Sequence, residues 1–348
     1  MTNYIGFVGT YTKGESKGIY SFSLDPATTK ITELHLAAQV DNPTYLSISK
    51  DHNKLYSVMK NGDSGGIAAY TLDEQTGKLT LLNSQVSVGA PPCHVSVDSK
   101  NRTVLSANYH KGTIDSYLLN EDGSVLPPSS VIKHYGSGPD SRQEKPHTHF
   151  SGFTPDEKYV IAVELGSDQV YTYEINEGHL KEKNRLPVKA GSGPRHIVFH
   201  PKLQIAYVMT EFSSEVIVLS YNANDGSFKE VQYISTIPEG FNDNNQGSAV
   251  HISSDGQFVY AGNRGHNSIA VFKVNQNSGE LSLVEHASTE GKWPRDFALD
   301  PSEKFIVASN QESSSLVLFE RHTESGKLTL VQSDIVVPDP VCVKFLND

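Results

Sequence analysis

The feature that most constrains this chain is a pattern that recurs along nearly all of it. A unit of short apolar runs bounded by turn residues starts at Pro43, Pro92, Pro146, Pro194, near Gln246 and at Pro294. The starts lie roughly 46–54 residues apart, a period that marks propellers, solenoids or arrays. The copy at Pro194 is the clearest: PRHIVFHP, then QIAYVMTEFSS, then EVIVLSY. Apolar and polar residues alternate within each run, which is the strand period and not the helical one. Glycines at 77, 123, 226 and 279 sit between the third and fourth runs, where a hairpin turn needs a positive φ. Four short strands per unit suit a propeller blade. The termini set the number of blades. YIGFVGTY, GIYSFSLD and ITELHLAAQV match second, third and fourth strands, and PVCVKF at 340–345 matches the missing first strand. Six complete units and one shared between the ends make seven. The expected fold is all-β: a seven-bladed β-propeller with four antiparallel strands per blade. The C-terminal strand joins three N-terminal strands to close the ring, which leaves no open edge at the junction. A closed ring also gives no place for a boundary, so residues 1–348 are expected to form a single domain.

Charge and composition narrow the function. The formal net charge is −11, which disfavours nucleic acid as a partner because that needs a basic stripe. No apolar run reaches the ~18–20 residues that cross a bilayer, and the N-terminus lacks a basic segment followed by an apolar one. Membrane association is therefore not expected. Cys93 and Cys342 fall in different units, so no disulfide framework is implied. That fits a reducing compartment, and the cytoplasm is the expected location. Cys93 alternates with apolar neighbours and reads as a buried thiol. Trp293, the single tryptophan, precedes Pro294-Arg295 and reads as packing between blades in preference to walling the pocket.

In a propeller, the starts of the innermost strands and the loops joining second to third strands open on one face. At the first set of positions the chain has Tyr45, His94, His147, His149, Arg195, His196, His251 and Arg295. At the second it has Thr10, Met59, Asn108, Glu164, Glu211, Asn263 with Arg264, and Asn310. Arginine suits planar, bidentate recognition of carboxylate or phosphate. A cationic mouth in an acidic protein therefore points to a small anionic ligand. His147 and His149 are spaced to chelate a metal on one strand face. No Cys or carboxylate cluster accompanies them, and nearby arginines would repel a dication, so no metal site is expected. No G-x-S-x-G elbow is present. Arg, His and Glu remain, a set suited to proton transfer beside a bound anion, as in hydrolysis of a cyclic ester.

The same residues carry a resemblance. GTYT at 9–12, ANY with a following KG at 107–112, PHTH at 146–149, LGSDQV at 165–170, GPRH at 193–196, Glu211 in TEF, GNRGHNSI at 262–269 and PRDF at 294–297 are similar to motifs of the seven-bladed propeller lactonases. That family includes propeller-type 6-phosphogluconolactonases and a carboxy-muconate lactonizing branch. The resemblance spans residues 5–345. It implies a lactone-hydrolysing enzyme that works without metal or organic cofactor on a small anionic substrate, a phosphorylated sugar lactone. By motif it places the catalytic set on His149, Arg195, Glu211 and Arg264, leaving open whether Glu211 or His149 is the base. His147, His196, Arg295, Asn108, Glu164, Asn263 and His251 are the expected substrate-binding neighbours. Ser248-Ala249-Val250 precedes His251 where the family usually has an acid, a departure that does not decide between hydrolysis and the alternative, a lactonizing isomerase using the same arginines and a proton donor. A non-catalytic binding propeller is a second alternative. A monomer or weak oligomer is expected.

Overall fold

The computed structural model describes residues 3–346, which form seven four-stranded antiparallel sheets and, among the described residues, no helix. Six sheets use consecutive strands. The seventh takes Pro340–Phe345 from the C-terminus and pairs it with Tyr4–Thr10, followed outward by Gly18–Asp25 and Lys30–Gln39. Val343 lies opposite Val8, and Phe345 opposite Gly6. The ring closes as the terminal repeats predicted. We number the complete blades 1 to 6 from the innermost strands Leu46–Ile48, His94–Val97, Thr148–Phe153, Pro194–Phe199, Gln246–Ile252 and Pro294–Leu299. Each innermost strand packs on those of both neighbouring blades, so all seven surround one axis.

The sequence pattern follows from this arrangement. A propeller sheet is covered on both faces by the next blades, so its inner-middle strands lose their alternation. Tyr159–Glu164, Ile205–Thr210 and Phe305–Asn310 are buried at every position. The outermost strands, such as His179–Pro187, expose most residues. The apolar interior is accordingly divided into layers, each shared by two neighbouring blades. One such layer sets Tyr207, Met209 and Val218 of blade 4 against Val259, Ala261 and Phe272 of blade 5. Removing these side chains from water supplies the main force between blades.

A repeated clasp ties the blades at their outer turns. Tyr56 of blade 1 donates its hydroxyl to the Gly123 carbonyl of blade 2 at 3.1 Å. Tyr207 does the same to Gly279 at 2.9 Å, and Tyr260 to Gly326 at 3.1 Å. The turns need glycine: Gly226 has φ 74°, and a Cβ there would come within 2.6 Å of Thr172.

A second regularity lies at the axis. Where the innermost strand begins, its pairing with the second strand slips. The slip falls between Thr148 and Phe150 in blade 3, Pro194 and His196 in blade 4, Gly247 and Val250 in blade 5, and Pro294 and Asp296 in blade 6. Among the described residues no helix is long and apolar enough to cross a membrane.

Ring closure by the last strand has a direct test. Truncation before Pro340 leaves Tyr4–Thr10 as an open apolar edge, which invites pairing with another chain. We expect the truncated protein to elute as soluble aggregate on size exclusion. A monomer with the full-length melting temperature would contradict the closure argument.

Candidate active site

The slipped register selects the side chains that reach the axis. His149, Arg195 and Arg295 each sit at the slip and have no partner in the second strand. A bulge leaves its extra residue out of the ladder and re-aims it. His149 and Arg295 line a cavity of about 630 Å³ at one end of the axis. Arg195 lies behind its wall, against the lining residue Glu211.

On the second strands a change of one residue decides the outcome. The last residues, Asn108, Glu164 and Asn263, were expected at the mouth, but they turn sideways and cap the following hairpin. Asn108 donates to the Ala90 carbonyl and accepts from the Lys111 amide, both at 2.9 Å. Glu164 is buried and accepts from the backbone amides of His147, Gly166 and Ser167 and from the Ser167 hydroxyl. Asn263 donates to the Thr236 carbonyl and accepts from its hydroxyl, both at 2.7 Å. None of the three lines the cavity. The next residue along the chain does: Tyr109 after Asn108, Glu211 after Thr210, Arg264 after Asn263 and Tyr11 after Thr10.

Glu211 is the centre of the site. Its Oε2 accepts from Arg264 Nη2 at 2.7 Å and lies 3.3 Å from Arg195 Nε. Its Oε1 lies 4.0 Å from Arg142 Nη1. Burial alone would raise this carboxyl. Arg264 and Arg195 outweigh burial and hold it below the ordinary carboxylate value, so it stays ionised. The arginines pay a visible desolvation cost. Burial, then Arg264 and Arg295, push Arg195 down to about 9, with Glu211 opposing. Arg264 is lowered by burial while Glu211 again opposes. Arg195 Nη1 donates to the Ser248 carbonyl at 2.6 Å and lies 3.3 Å from His196 Nε2. Arg264 Nη2 also donates to the Gly247 carbonyl at 2.7 Å, and its guanidinium lies 5.6 Å from the centre of the Trp293 ring.

His149 is buried, and its Nδ1 has no hydrogen-bond partner. Burial, followed by Arg195, Arg295 and Arg264, drives its pKa well below 6.5, so the ring is neutral at pH 7. Beneath it His196 and His94 continue along the axis, with ring centres 5.1 Å and then 5.5 Å apart. Tyr45 and Phe150 flank His94 at 4.2 and 4.4 Å. Burial keeps His196 and His94 neutral too. His94 and Tyr45 also line a second cavity, of about 590 Å³, at the other end of the axis.

Three further expected neighbours fall outside the cavity: His196, which lies beneath His149, and also His147 and His251. His147 stacks on Tyr109 at 4.2 Å, and its ring nitrogens meet the Tyr109 carbonyl and the Glu144 carboxylate at 2.9 and 3.1 Å. It fixes Tyr109 in place. The bulge at His149 breaks the strand alternation, so the two histidines do not share a face. His251 turns to Asp296 at 3.3 Å and to the edge of Phe297. Two other readings need correction. Trp293 walls the cavity, with a φ of 64° that its turn imposes, and Cys93 lines it as well. Burial raises the Cys93 thiol to about 11, so it remains protonated. Among the described residues, no group of three or more His, Cys, Asp or Glu is placed to hold a metal ion.

Tyr11, Lys60, Tyr109 and Arg142 also line the cavity and were not anticipated. Arg142 comes from residues 134–147, the long connection into blade 3. Its guanidinium stacks on Phe212 at 3.8 Å and reaches Asp140 at 3.2 Å.

Comparison with known proteins is consistent along the whole chain. The family model described as "Lactonase, 7-bladed beta-propeller" matches residues 5–345. A 6-phosphogluconolactonase of Bacillus subtilis is 56% identical over 347 residues, covering 100% of this chain and 99% of that protein. The crystal structure of a Lactobacillus plantarum protein superposes with a TM-score of 0.96 at 41% identity, over 99% of this chain and 100% of that one. The periplasmic gluconolactonase PpgL of Pseudomonas aeruginosa gives 0.94 at 31% identity, over 99% of each chain.

The charge balance around Glu211 predicts a specific response. Glu211→Gln leaves two buried guanidinium groups without their counter-charge, at a cost of about 3 kcal/mol. The variant should melt below the wild type, and added sulfate should raise its melting temperature more than that of the wild type. Equal response to sulfate would show that Glu211 does not neutralise the arginines.

Proposed function

This chain belongs to the seven-bladed β-propeller lactonases and is a lactonase; from that premise we propose that it opens 6-phosphogluconolactone to 6-phosphogluconate by general-base hydrolysis in the cavity around Glu211. The observation that carries the reading is the pairing of a neutral, cavity-lining His149 with a carboxylate already saturated by arginines. The name of the Bacillus subtilis relative supports the phosphorylated substrate.

The roles follow from the charge states. Glu211 meets Arg264 and Arg195 through Oε2 and faces Arg142 through Oε1, so its oxygens are engaged by cations. Its work is to fix the two guanidinium groups. His149 is a neutral imidazole at neutral pH, it lines the cavity, and its Nδ1 is buried without a hydrogen-bond partner. Nε2 is then the nitrogen a water molecule can reach. His149 takes a proton from that water as its oxygen attacks the lactone carbonyl. Arg264, with Arg295 across the lining, stabilises the oxyanion that forms. Collapse of the intermediate breaks the ring C–O bond, and the protonated His149 returns its proton to the leaving alkoxide. The product acid then ionises to solvent. Arg195 stands behind Glu211 and keeps the field positive. The two reduced cysteines and the phosphorylated substrate fit a cytoplasmic enzyme.

Three measurements bear on this. His149→Gln should lower kcat on the phosphorylated lactone by about 10²–10⁴. Because burial holds the His149 pKa well below 6.5, the free enzyme keeps its base unprotonated as pH falls through 6.5. The kcat/KM profile should therefore stay flat there and fall only at lower pH. A muconate diacid should not be cyclised. A full-rate His149→Gln enzyme, or a limb centred near pH 6.5, would remove His149 from the role of base.

A further inference from the structure

The cavity has two kinds of cation, and the proposed mechanism uses only one. Arg264 and Arg195 are deep and neutralised by Glu211, with side chains 4% and 3% exposed. Arg142 and Lys60 sit at the rim, where the Arg142 side chain is 40% exposed and Lys60 is open to solvent. Among the described residues the Lys60 ammonium has no hydrogen-bond or ion-pair partner. Arg142 lines the cavity and is held by two contacts. Its guanidinium carbon lies 3.8 Å from the centre of the Phe212 ring, with Nε toward the partly exposed Asp140. Phe212 is in turn seated by Gly193, where φ is 61° and a Cβ would come within 2.5 Å of the ring.

We propose that Arg142 and Lys60 form the subsite that recognises the phosphate dianion of the substrate and so set the preference for a phosphorylated over an unphosphorylated sugar lactone. This rests on the lactone-hydrolysis reading above. In the cyclic lactone the phosphate sits on a flexible arm beside the ring oxygen, several bonds from the carbonyl carbon, so a carbonyl held by Arg264 and His149 lets the arm carry the phosphate outward to other lining groups of the same cavity. A dianion keeps part of its hydration, which favours the rim over the dry floor. The guanidinium fork matches two phosphate oxygens, and a lysine adds a point charge. Nη1 of Arg142, 4.0 Å from Glu211, also links this subsite to the reacting end.

The test compares 6-phosphogluconolactone with glucono-δ-lactone as substrates of the wild type, Arg142→Gln, Lys60→Gln and the double variant. The ratio of their kcat/KM values should fall tenfold or more in each single variant and further in the double. Arg142→Lys, which keeps charge without the fork, should recover part of the loss. If Arg142 acts only by steadying Glu211, both substrates slow together and the ratio is unmoved, which would overturn the proposal. Calorimetric binding of 6-phosphogluconate and gluconate gives a readout independent of turnover. The wild type should prefer the phosphorylated acid, and the variants should lose that preference. If the wild type hydrolyses neither lactone, the substrate reading fails. The binding contrast still judges Arg142 and Lys60, and an unchanged contrast overturns their assignment.

Discussion

The ladder between Pro340–Phe345 and Tyr4–Thr10 is the constraint on which the molecule depends. It turns a row of seven sheets into a ring. Each blade buries two faces only because it has two neighbours, and the apolar layers between blades exist only in the closed form. Closure also sets the size of the axial opening. His149 of blade 3, Arg195 and Glu211 of blade 4, Arg264 of blade 5 and Arg295 of blade 6 are far apart along the chain. They converge because the ring fixes the distance of every innermost strand from the axis.

Convergence alone would not produce a site with this charge. Buried ion pairs rarely stabilise a fold relative to apolar packing, since desolvation offsets the Coulomb gain. Here the arginines outnumber the carboxylate, and the depressed pKa of Arg195 reflects burial first and then its arginine neighbours. Such an arrangement is poor economy for stability and useful for binding. An anion entering the cavity meets groups that are already desolvated and oriented, so little reorganisation opposes it. Beyond the cavity the protein is acidic, so the attraction is local to the mouth.

The blade count, the shared terminal blade and the gathering of Arg195, Glu211 and Arg264 were legible in the sequence, because they follow from the repeat and from strand order. What was not legible depends on one-residue shifts. Asn108, Glu164 and Asn263 looked equivalent to Glu211, since all stand where a second strand ends. The ladder shows that Thr210, not Glu211, is their counterpart, opposite Pro194 as Asn263 is opposite Gly247. A period-2 pattern cannot register that difference when every residue of the strand is buried. His147 and His149 were separated by a bulge for the same reason. Arg142 belongs to a connecting segment, hinted at only by the excess length of residues 134–147, and Lys60 lies in the strand Lys54–Asn61, one residue beyond the expected Met59. Trp293 and Cys93 were assigned to packing because apolar neighbours in sequence say nothing about an axial cavity next to the chain.

The stack of His149, His196 and His94 separates the cavity proposed as catalytic from the second cavity at the other end of the axis. The three rings, with Tyr45 and Phe150, lie across the line that joins the two cavities. Charged imidazoles could not occupy that position beside Arg195, Arg264 and Arg295 without strong repulsion, and burial disfavours their protonation further. Neutral rings meet neither objection. They pack as aromatic surfaces, and the His196 ring lies against the Arg195 guanidinium, its Nε2 within 3.3 Å of Nη1. The arginines therefore do two things through one field. In the proposed mechanism they draw an anion to the mouth, and together with burial they keep the imidazole beneath it unprotonated.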